Sequence, residues 1–538
     1  MDTPQADTPQ FSDSRRLFGP SLWLDLPGVV LEGTAPSDAA ATIASAWEHA
    51  VRRLASALGW PAPHVVAEHR GGDLMLAFTA PGDRLLTATE VNEWAWEDAV
   101  RRAGFVAPPA LLSPGDLPRD EDGAIAQLAA MASAEVLAPT NDLAIVAHGD
   151  RHVALVTGSN GKTTTTRLIA AMMTAHGWRT GWCCTDGVFI AGEAVEVGDW
   201  SGPAGAQRVI ADPAVQGAVL ETARGGILRR GLGVLGVDVA VVTNIEADHF
   251  GEYGIRSLAD LATVKLVAAK GLRLDGVLVL NADDATLRES ALPTSHAAVW
   301  FSPSGTAVAT VSHPVAAWRD GDRLLLDDPA GRHDLGDIRA MPLTVSGSAD
   351  YNIANALAAA LAASRLGVAP ATIAQVLATF GGRPEDNAGR LGHYRFDGVE
   401  VFLDYAHNPT GLAGLLAVAR SRAPERLLLL LGQAGNRGDD AIAALVRAAW
   451  DARPDRIIIK ELEGYRRGRE VGEVPALIHD ELRRLGAPEE QLVTVLDEVD
   501  AVAEALRWAR PGDLLVLPVH GLEARARVIE LLEARITR

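Results

Sequence analysis

One run fixes more of this chain than any other. Residues 153–173 read VALVTGSNGKTTTTRLIAAMM, an apolar stretch, a glycine loop, then an apolar-periodic stretch. The apolar start predicts a buried strand, and the 3.6-residue periodicity after it predicts a helix. Between them stand Gly158, Ser159, Asn160, Gly161, Lys162, Thr163 and Thr164. Glycines let the backbone curl so that its N–H groups face a phosphate, and the helix N-terminus adds a positive dipole. A lysine there reaches the β- and γ-phosphates, and the next hydroxyl ligates Mg²⁺. Those roles fall to Lys162 and Thr163. The general P-loop pattern asks for glycine where Val156 stands, so this is a shortened loop. Such a loop predicts a parallel α/β sheet.

The loop needs an acidic partner for the metal at the end of a neighbouring strand. Residues 217–221, GAVLE, supply it with Glu221 at the C-terminal edge of a strand, where ligands bind in α/β sheets.

Around this centre the chain divides into three expected domains. Residues 1–145 mix strand-like runs (28–31, 74–78) with helical patterns (39–58, 89–102, 123–136), an α+β block. A proline-rich stretch (108–119) and a linker, APTND at 138–142, fall inside it. Residues 146–385 alternate strands ending at Glu221, Asn244 and Asn281 with helices, closing on the Ala-rich runs 352–364 and 370–380. Residues 386–538 alternate again: VEVFLDY, RLLLLLG, DRIIIK, VTVLDE and DLLVLP, each followed by a helical pattern. That predicts a second, smaller doubly wound sheet, Rossmann-like.

Composition narrows the partners. The formal charge is −20 over 538 residues, and phosphate-backbone binding needs a basic footprint, so nucleic acid is not the expected partner. Residues 290–318 carry no Asp, Glu, Lys or Arg, but three prolines and many hydroxyls interrupt them, which speaks against a membrane span. Cys183 and Cys184 are the only cysteines, adjacent and unsuited to a disulfide framework, which fits a reducing cytoplasm. The start, MDTPQADTPQFSD, lacks a signal-peptide pattern and reads as a short disordered leader.

Further segments carry a resemblance. ETARGGILRRGLG (221–233), VVTNIEADHFGEYGI (241–255) and VKLVAAKG (264–271) resemble the Mur ligase domain of cyanophycin synthetases. RRLFGPSLWL (15–24) is similar to the start of those enzymes' N-terminal domain. The wider Mur ligase superfamily, folylpolyglutamate synthases included, shares the shortened loop. The resemblance implies ATP-dependent amide formation through an acyl phosphate, with ATP and Mg²⁺ required. It places His249 on or near a second metal. It makes Lys265 a candidate for carbamylation, which would turn a cation into an anionic ligand for Mg²⁺. It places Asn244 in the nucleotide or substrate pocket. Arg224 and Arg229 either clamp a substrate carboxylate bidentately or belong to a solvated loop.

The C-terminal block continues the pattern. DNAGRL (386–391) resembles the family's domain junction, with Ala388 in place of the usual proline, and makes Arg390 a phosphate contact formed when the domains close. DYAHNP (404–409) resembles an ATP-facing loop: Asp404 is expected to take ribose hydroxyls and His407 to pack near the nucleotide. The ATP site is then complete only with both sheets together. Two positions depart from the family, Asn436 where an aspartate is usual and Tyr351 where a histidine is usual. KELEGYRRGRE (460–470) resembles a cyanophycin synthetase segment, so Lys460, Glu461, Arg467 and Arg469 either meet an amino-acid acceptor or form a salt-bridged surface loop.

Cyanophycin synthetases also carry an ATP-grasp domain before the Mur part. Residues 102–152 leave 51 positions, whereas a catalytic domain of that kind needs roughly 200. One ligation is therefore expected, joining a small-molecule or peptide carboxylate to an amino-acid amine. A homo-oligomer and a separate ligase for a second step remain open. Two other readings stand beside it: a folylpolyglutamate-synthase-like ligase, disfavoured by Gly225-Gly226 and the N-terminal domain, and a catalytically silent partner of a full-length ligase, disfavoured by the retained Lys162, Thr163, Glu221, His249 and Lys265.

Overall fold

In a computed structural model, residues 8–106, 117–135, 144–147, 151–247, 250, 253–292, 296–306 and 315–536 are described. The expected linker at 138–142, most of the proline-rich stretch and His249 lie outside them.

Among the described residues the central sheet has eleven strands. Its middle is parallel: Thr180–Cys184, Gly217–Glu221, His152–Thr157, Val237–Val242, Leu272–Asn281 and Ala297–Ser302 pair in that order. Parallel strands are covered on both faces, so they read as continuous apolar runs. The alternation shows in which core each residue joins. Val153 and Leu155 enter the core packed by helices Pro203–Ile210, Arg224–Arg230 and Leu258–Leu266. Ala154 and Val156 enter the opposite core, with helices Lys162–His176 and Asp350–Arg365.

Both edges end in antiparallel strands that the sequence reading did not separate. Gly187–Ile190 and Glu193–Val197 extend one edge, and Arg323–Asp328 and Gly331–Asp337 extend the other beyond Val315–Asp320. Hairpin strands need no crossover helix, so the α/β rhythm pauses there.

The N-terminal block is a four-stranded antiparallel sheet under helices Ala40–Ala57 and Leu85–Arg102. Its first strand is Gln10–Leu17. The expected disordered leader is therefore too long: from Gln10 the backbone pairs with Gly28–Thr34, and Leu17 is fully buried. The strand's end docks on the central block. Phe18 N–H donates to Arg230 O at 2.8 Å, and Leu232 N–H donates to Pro20 O at 2.7 Å.

The C-terminal sheet has six strands, in the order Gly392–Phe396, Val399–Asp404, Asp513–Pro518, Arg426–Leu431, Arg456–Ile459, Leu492–Thr494. All but the first are parallel. Among the described residues no helix is long and apolar enough to cross a membrane.

Candidate active site

The phosphate loop leaves its strand at Thr157 and enters the helix at Lys162. Gly158 and Gly161 both take positive φ, +147° and +81°. A Cβ on Gly158 would meet Thr243 Oγ1 at 1.8 Å, and one on Gly161 would meet Asn355 Oδ1 at 2.0 Å. Only glycine allows both the turn and the approach. The end of the adjacent strand braces the loop. Asn244 Oδ1 accepts from Asn160 N–H at 2.9 Å, and Thr243 Oγ1 donates to Asn160 O at 2.6 Å. Asn244 thus acts on the loop itself.

Lys162 Nζ donates to Ser159 O at 3.0 Å, folded back over the loop. Thr163 Oγ1 donates to Glu221 Oε2 at 2.9 Å, and Thr185 Oγ1 donates to Glu221 Oε1 at 3.2 Å. Glu221 is fully buried. Burial pushes its carboxyl up, and the charges of Lys162 and Arg390 pull against it. A buried carboxylate beside a hydroxyl is a hard-oxygen pair suited to Mg²⁺, which takes one or two protein oxygens and fills the rest with phosphate and water. No cluster of three His, Cys, Asp or Glu that could hold a metal occurs among the described residues.

This corner opens into a cavity of about 1280 Å³ lined by all three blocks. Lys162, Lys265, Arg224, Arg229, His407 and Arg467 share it. Lys265, in helix Leu258–Leu266, is 3% exposed. Arg224 is buried at the start of its short helix, and Arg229 donates to Gly225 O at 3.0 Å. The N-terminal strands bring Asp13 and Glu32 to the same wall, both paired to Arg15 at 2.5 Å. Asn436, one of the two departures, also lines the cavity; the other, Tyr351, is packed against Gly414.

The two sheets meet at the loop. Asn408 Nδ2 donates to Asn160 Oδ1 at 2.8 Å, and Arg390 Nη2 donates to Thr163 Oγ1 at 3.4 Å. Arg390 lies 4.2 Å over the Tyr405 ring. Asp404 accepts from Leu391 N–H at 2.6 Å and Ala406 N–H at 2.7 Å, so its carboxylate ties the junction to the loop it begins.

Three of the expected acceptor residues have their partners inside the C-terminal domain. Arg469 pairs with Asp439 at 2.7 Å and Glu473 at 2.8 Å. Glu461 accepts from Gly472 N–H at 2.8 Å. Lys460 is fully buried in an ion pair with Glu498, and its ammonium faces His520 Nδ1 at 3.1 Å. An ammonium only donates, so Nδ1 accepts, and Nε2–H donates to Ala406 O at 3.1 Å. This neutral tautomer props the 404–408 loop. Burial first, then the Lys460 charge, lowers His520 to about 4. An ordinary histidine titrates near 6.5, so the unfolded chain takes up the proton first as pH falls. Stability from this site is complete above about pH 6.5 and is lost towards pH 4, by roughly 3 kcal/mol. Amide protection factors in strand Asp513–Pro518, with the slower intrinsic exchange in acid divided out, should fall over that window, and less so in His520→Gln. An equally steep pH dependence in that variant would refute the assignment.

Sequence reasoning overlooked several residues that the fold brings here. Asn355, in an Ala-rich helix, abuts the loop, and Thr185 shares Glu221. Asp186, Arg167 and Arg525 form a charged cluster at the junction. The available signal was position: Thr185-Asp186 follow a strand at the sheet's C-terminal edge.

Residues 156–363 match the Mur ligase middle domain, and residues 389–518 match the Mur ligase glutamate ligase domain. The UDP-N-acetylmuramoyl-L-alanyl-D-glutamate–2,6-diaminopimelate ligase of Xanthomonas campestris is 31% identical over 435 residues, 77% of this chain and 80% of that protein. The chain belongs to the Mur ligase family. Within the family it is also similar to cyanophycin synthetase of Trichormus variabilis, 36% identical over 385 residues and 71% of this chain. That match spans only 42% of the cyanophycin synthetase's length. Escherichia coli FolC, solved with DHPP and ADP, shares the Mur ligase fold at a TM-score of 0.52 and 19% identity, covering 71% of this chain and 89% of its own. MurF of Acinetobacter baumannii does so at 0.50 and 16%, covering 76% and 88%.

Proposed function

We propose that this Mur ligase family chain is an ATP-dependent ligase that joins a carboxylate to an amino-acid amine, with release of ADP and phosphate. One observation carries the reading. Lys162 lines a cavity together with Arg224, Arg229, Arg467 and Lys265, and beside it Thr163 joins buried Glu221 to Arg390 from the other sheet.

The chemistry follows from charge. A carboxylate oxygen attacks the γ-phosphorus of ATP, and the bond to the ADP oxygen breaks. Lys162 and Arg390 neutralise the transferring phosphoryl group. Thr163 and Glu221 would hold Mg²⁺, which would supply further neutralisation of phosphate charge. Arg224 and Arg229 hold the carboxylate substrate, since a guanidinium matches a carboxylate bidentately. The amine nitrogen then attacks the acyl carbon, phosphate leaves, and the amine gives up one proton. Walls from all three blocks restrict water, which would otherwise hydrolyse the acyl phosphate. His407 and Asp404 are assigned to the nucleotide side, and Arg467 to the acceptor side. One bond type is made, because the stretch between the N-terminal and central blocks has no room for a second catalytic domain.

The test is an ADP-release screen with Mg²⁺, ATP, Asp-containing peptides and amino acids. The expected result is amine-dependent ADP release with a single addition per carboxylate. Long alternating polymer would overturn the single ligation. Tight Mg·ATP binding without turnover on any pair would favour a silent partner.

A further inference from the structure

We propose that Asp186 is the positioning residue that aims Arg390 at the phosphate site, by clamping residues 387–390 between two guanidiniums. Asp186 sits in the turn between strands Thr180–Cys184 and Gly187–Ile190, and its side chain is 9% exposed. Arg167, from the phosphate-loop helix, donates to it at 2.7 Å. Arg525, from the closing helix Leu522–Ile536 of the other sheet, donates to its second oxygen. One carboxylate thus joins two domains.

Both arginines also hold the segment that carries Arg390. Arg167 Nη1 donates to Ala388 O at 3.0 Å and to Asn387 Oδ1 at 3.5 Å. The Arg525 stem lies on the backbone at Gly389: a Cβ there would meet Arg525 Cδ at 2.5 Å, and Gly389 has φ +70°. From this clamp Arg390 reaches Thr163 Oγ1 at 3.4 Å, with its guanidinium over Tyr405. Arg525 lies 5.3 Å from the same ring.

The charge count explains why the carboxylate matters. Three guanidiniums gather in a largely buried space and repel one another. Asp186 is their shared counter-charge. Burial raises its carboxyl, but Arg390, Arg167 and Arg525 together outweigh that and hold it below the usual range. Removing one partner of a buried ionic network leaves the remainder uncompensated. Without Asp186 the clamp opens, and Arg390 loses its aim before the fold loses its cores.

The proposal rests on the nucleotide reading only for its second readout. The first is amide hydrogen exchange. Arg390 N–H donates to Asn387 O, and Leu391 N–H donates to Asp404. In Asp186→Asn these amides should exchange at least about tenfold faster, while strand His152–Thr157 keeps its rates. The second is affinity for Mg·AMP-PNP, a non-hydrolysable ATP analogue, by calorimetry. Asp186→Asn should weaken it at least about tenfold in the wild-type background, but less than about twofold in Arg390→Gln, because the effect passes through Arg390. A purely structural role would weaken binding equally in both. Arg525→Gln, which cuts the clamp from the other domain, should show the same exchange and serves if Asp186→Asn does not fold. Wild-type exchange at 390–391 in the folded variants, or equal loss in both backgrounds, overturns the proposal. If the wild-type protein does not bind Mg·AMP-PNP, the nucleotide reading fails and the exchange result alone decides the clamp.

Discussion

Lys162→Ala should leave the protein folded and lower ADP release by about a thousandfold or more, the scale on which a cation at a transferring phosphoryl group acts. The fold is expected to hold because Lys162 is the first residue of its helix and its ammonium donates to the loop carbonyl of Ser159 rather than bracing a core. Alanine favours helix as strongly as any residue. The loop itself is held from elsewhere, by Asn244 and Thr243 on Asn160 and by glycines at Gly158 and Gly161. The chemistry is expected to collapse because Lys162 is the cation carried on the phosphate loop itself. Arg390 approaches from the other sheet and is already committed to Thr163 and Tyr405. Loss of the lysine also removes the main charge that opposes protonation of buried Glu221, so the metal pair weakens too. ADP release and thermal unfolding, measured on the same preparation, separate the two effects. Normal turnover from a folded variant would refute the assignment.

Why this site was readable from residues is a matter of range. The phosphate loop, its strand and its helix are contiguous, and each local choice agrees with the next. Glu221 could be placed because the last residue of a parallel strand falls at the sheet edge where the loop lies, and it was the neighbouring phosphate loop that set it apart from a strand-end carboxylate facing solvent. The C-terminal sheet was readable because its strands alternate with helical patterns at short, regular spacing. What escaped depends on distant pairing. Lys460 and Glu461 look like loop charges after a strand, yet Glu498 and His520, 38 and 60 residues on, bury the lysine. Asp186 meets Arg525 across 339 residues, and nothing near either residue announces the other. Asn355 hides in a helix whose Ala-rich pattern signals only packing. The edge hairpins broke the α/β rhythm, and the first strand starts inside a polar leader because it pairs with an apolar neighbour.

Lys265 should carry CO₂ as a carbamate, and Lys265→Ala should cost about a hundredfold or more in ADP release while Mg·AMP-PNP still binds. The reason is the balance of the cavity. Lys265 is 3% exposed and shares its wall with Lys162, Arg224, Arg229 and Arg467. Burial disfavours the charged form of an amine, and Lys162, Arg224, Arg229 and Arg467 add positive charge to the same cavity. Carbamylation inverts it. The neutral amine attacks the carbon of CO₂, a C–N bond forms, one C=O π pair moves to oxygen, one proton leaves the nitrogen, and the side chain ends in a carbamate whose single negative charge is shared by two oxygens. Those oxygens suit Mg²⁺ and offset the surrounding guanidiniums. Because only the neutral amine reacts, acid and removal of CO₂ should both lower activity, and bicarbonate should restore it. Intact and peptide mass spectra at neutral pH should place one CO₂ on Lys265. Lys270, five residues on, is the internal control: it pairs with Asp25 at 2.7 Å and donates to Ser21 O at 2.8 Å, so it stays unmodified. Full activity in CO₂-free buffer with an unmodified Lys265 would overturn the carbamate.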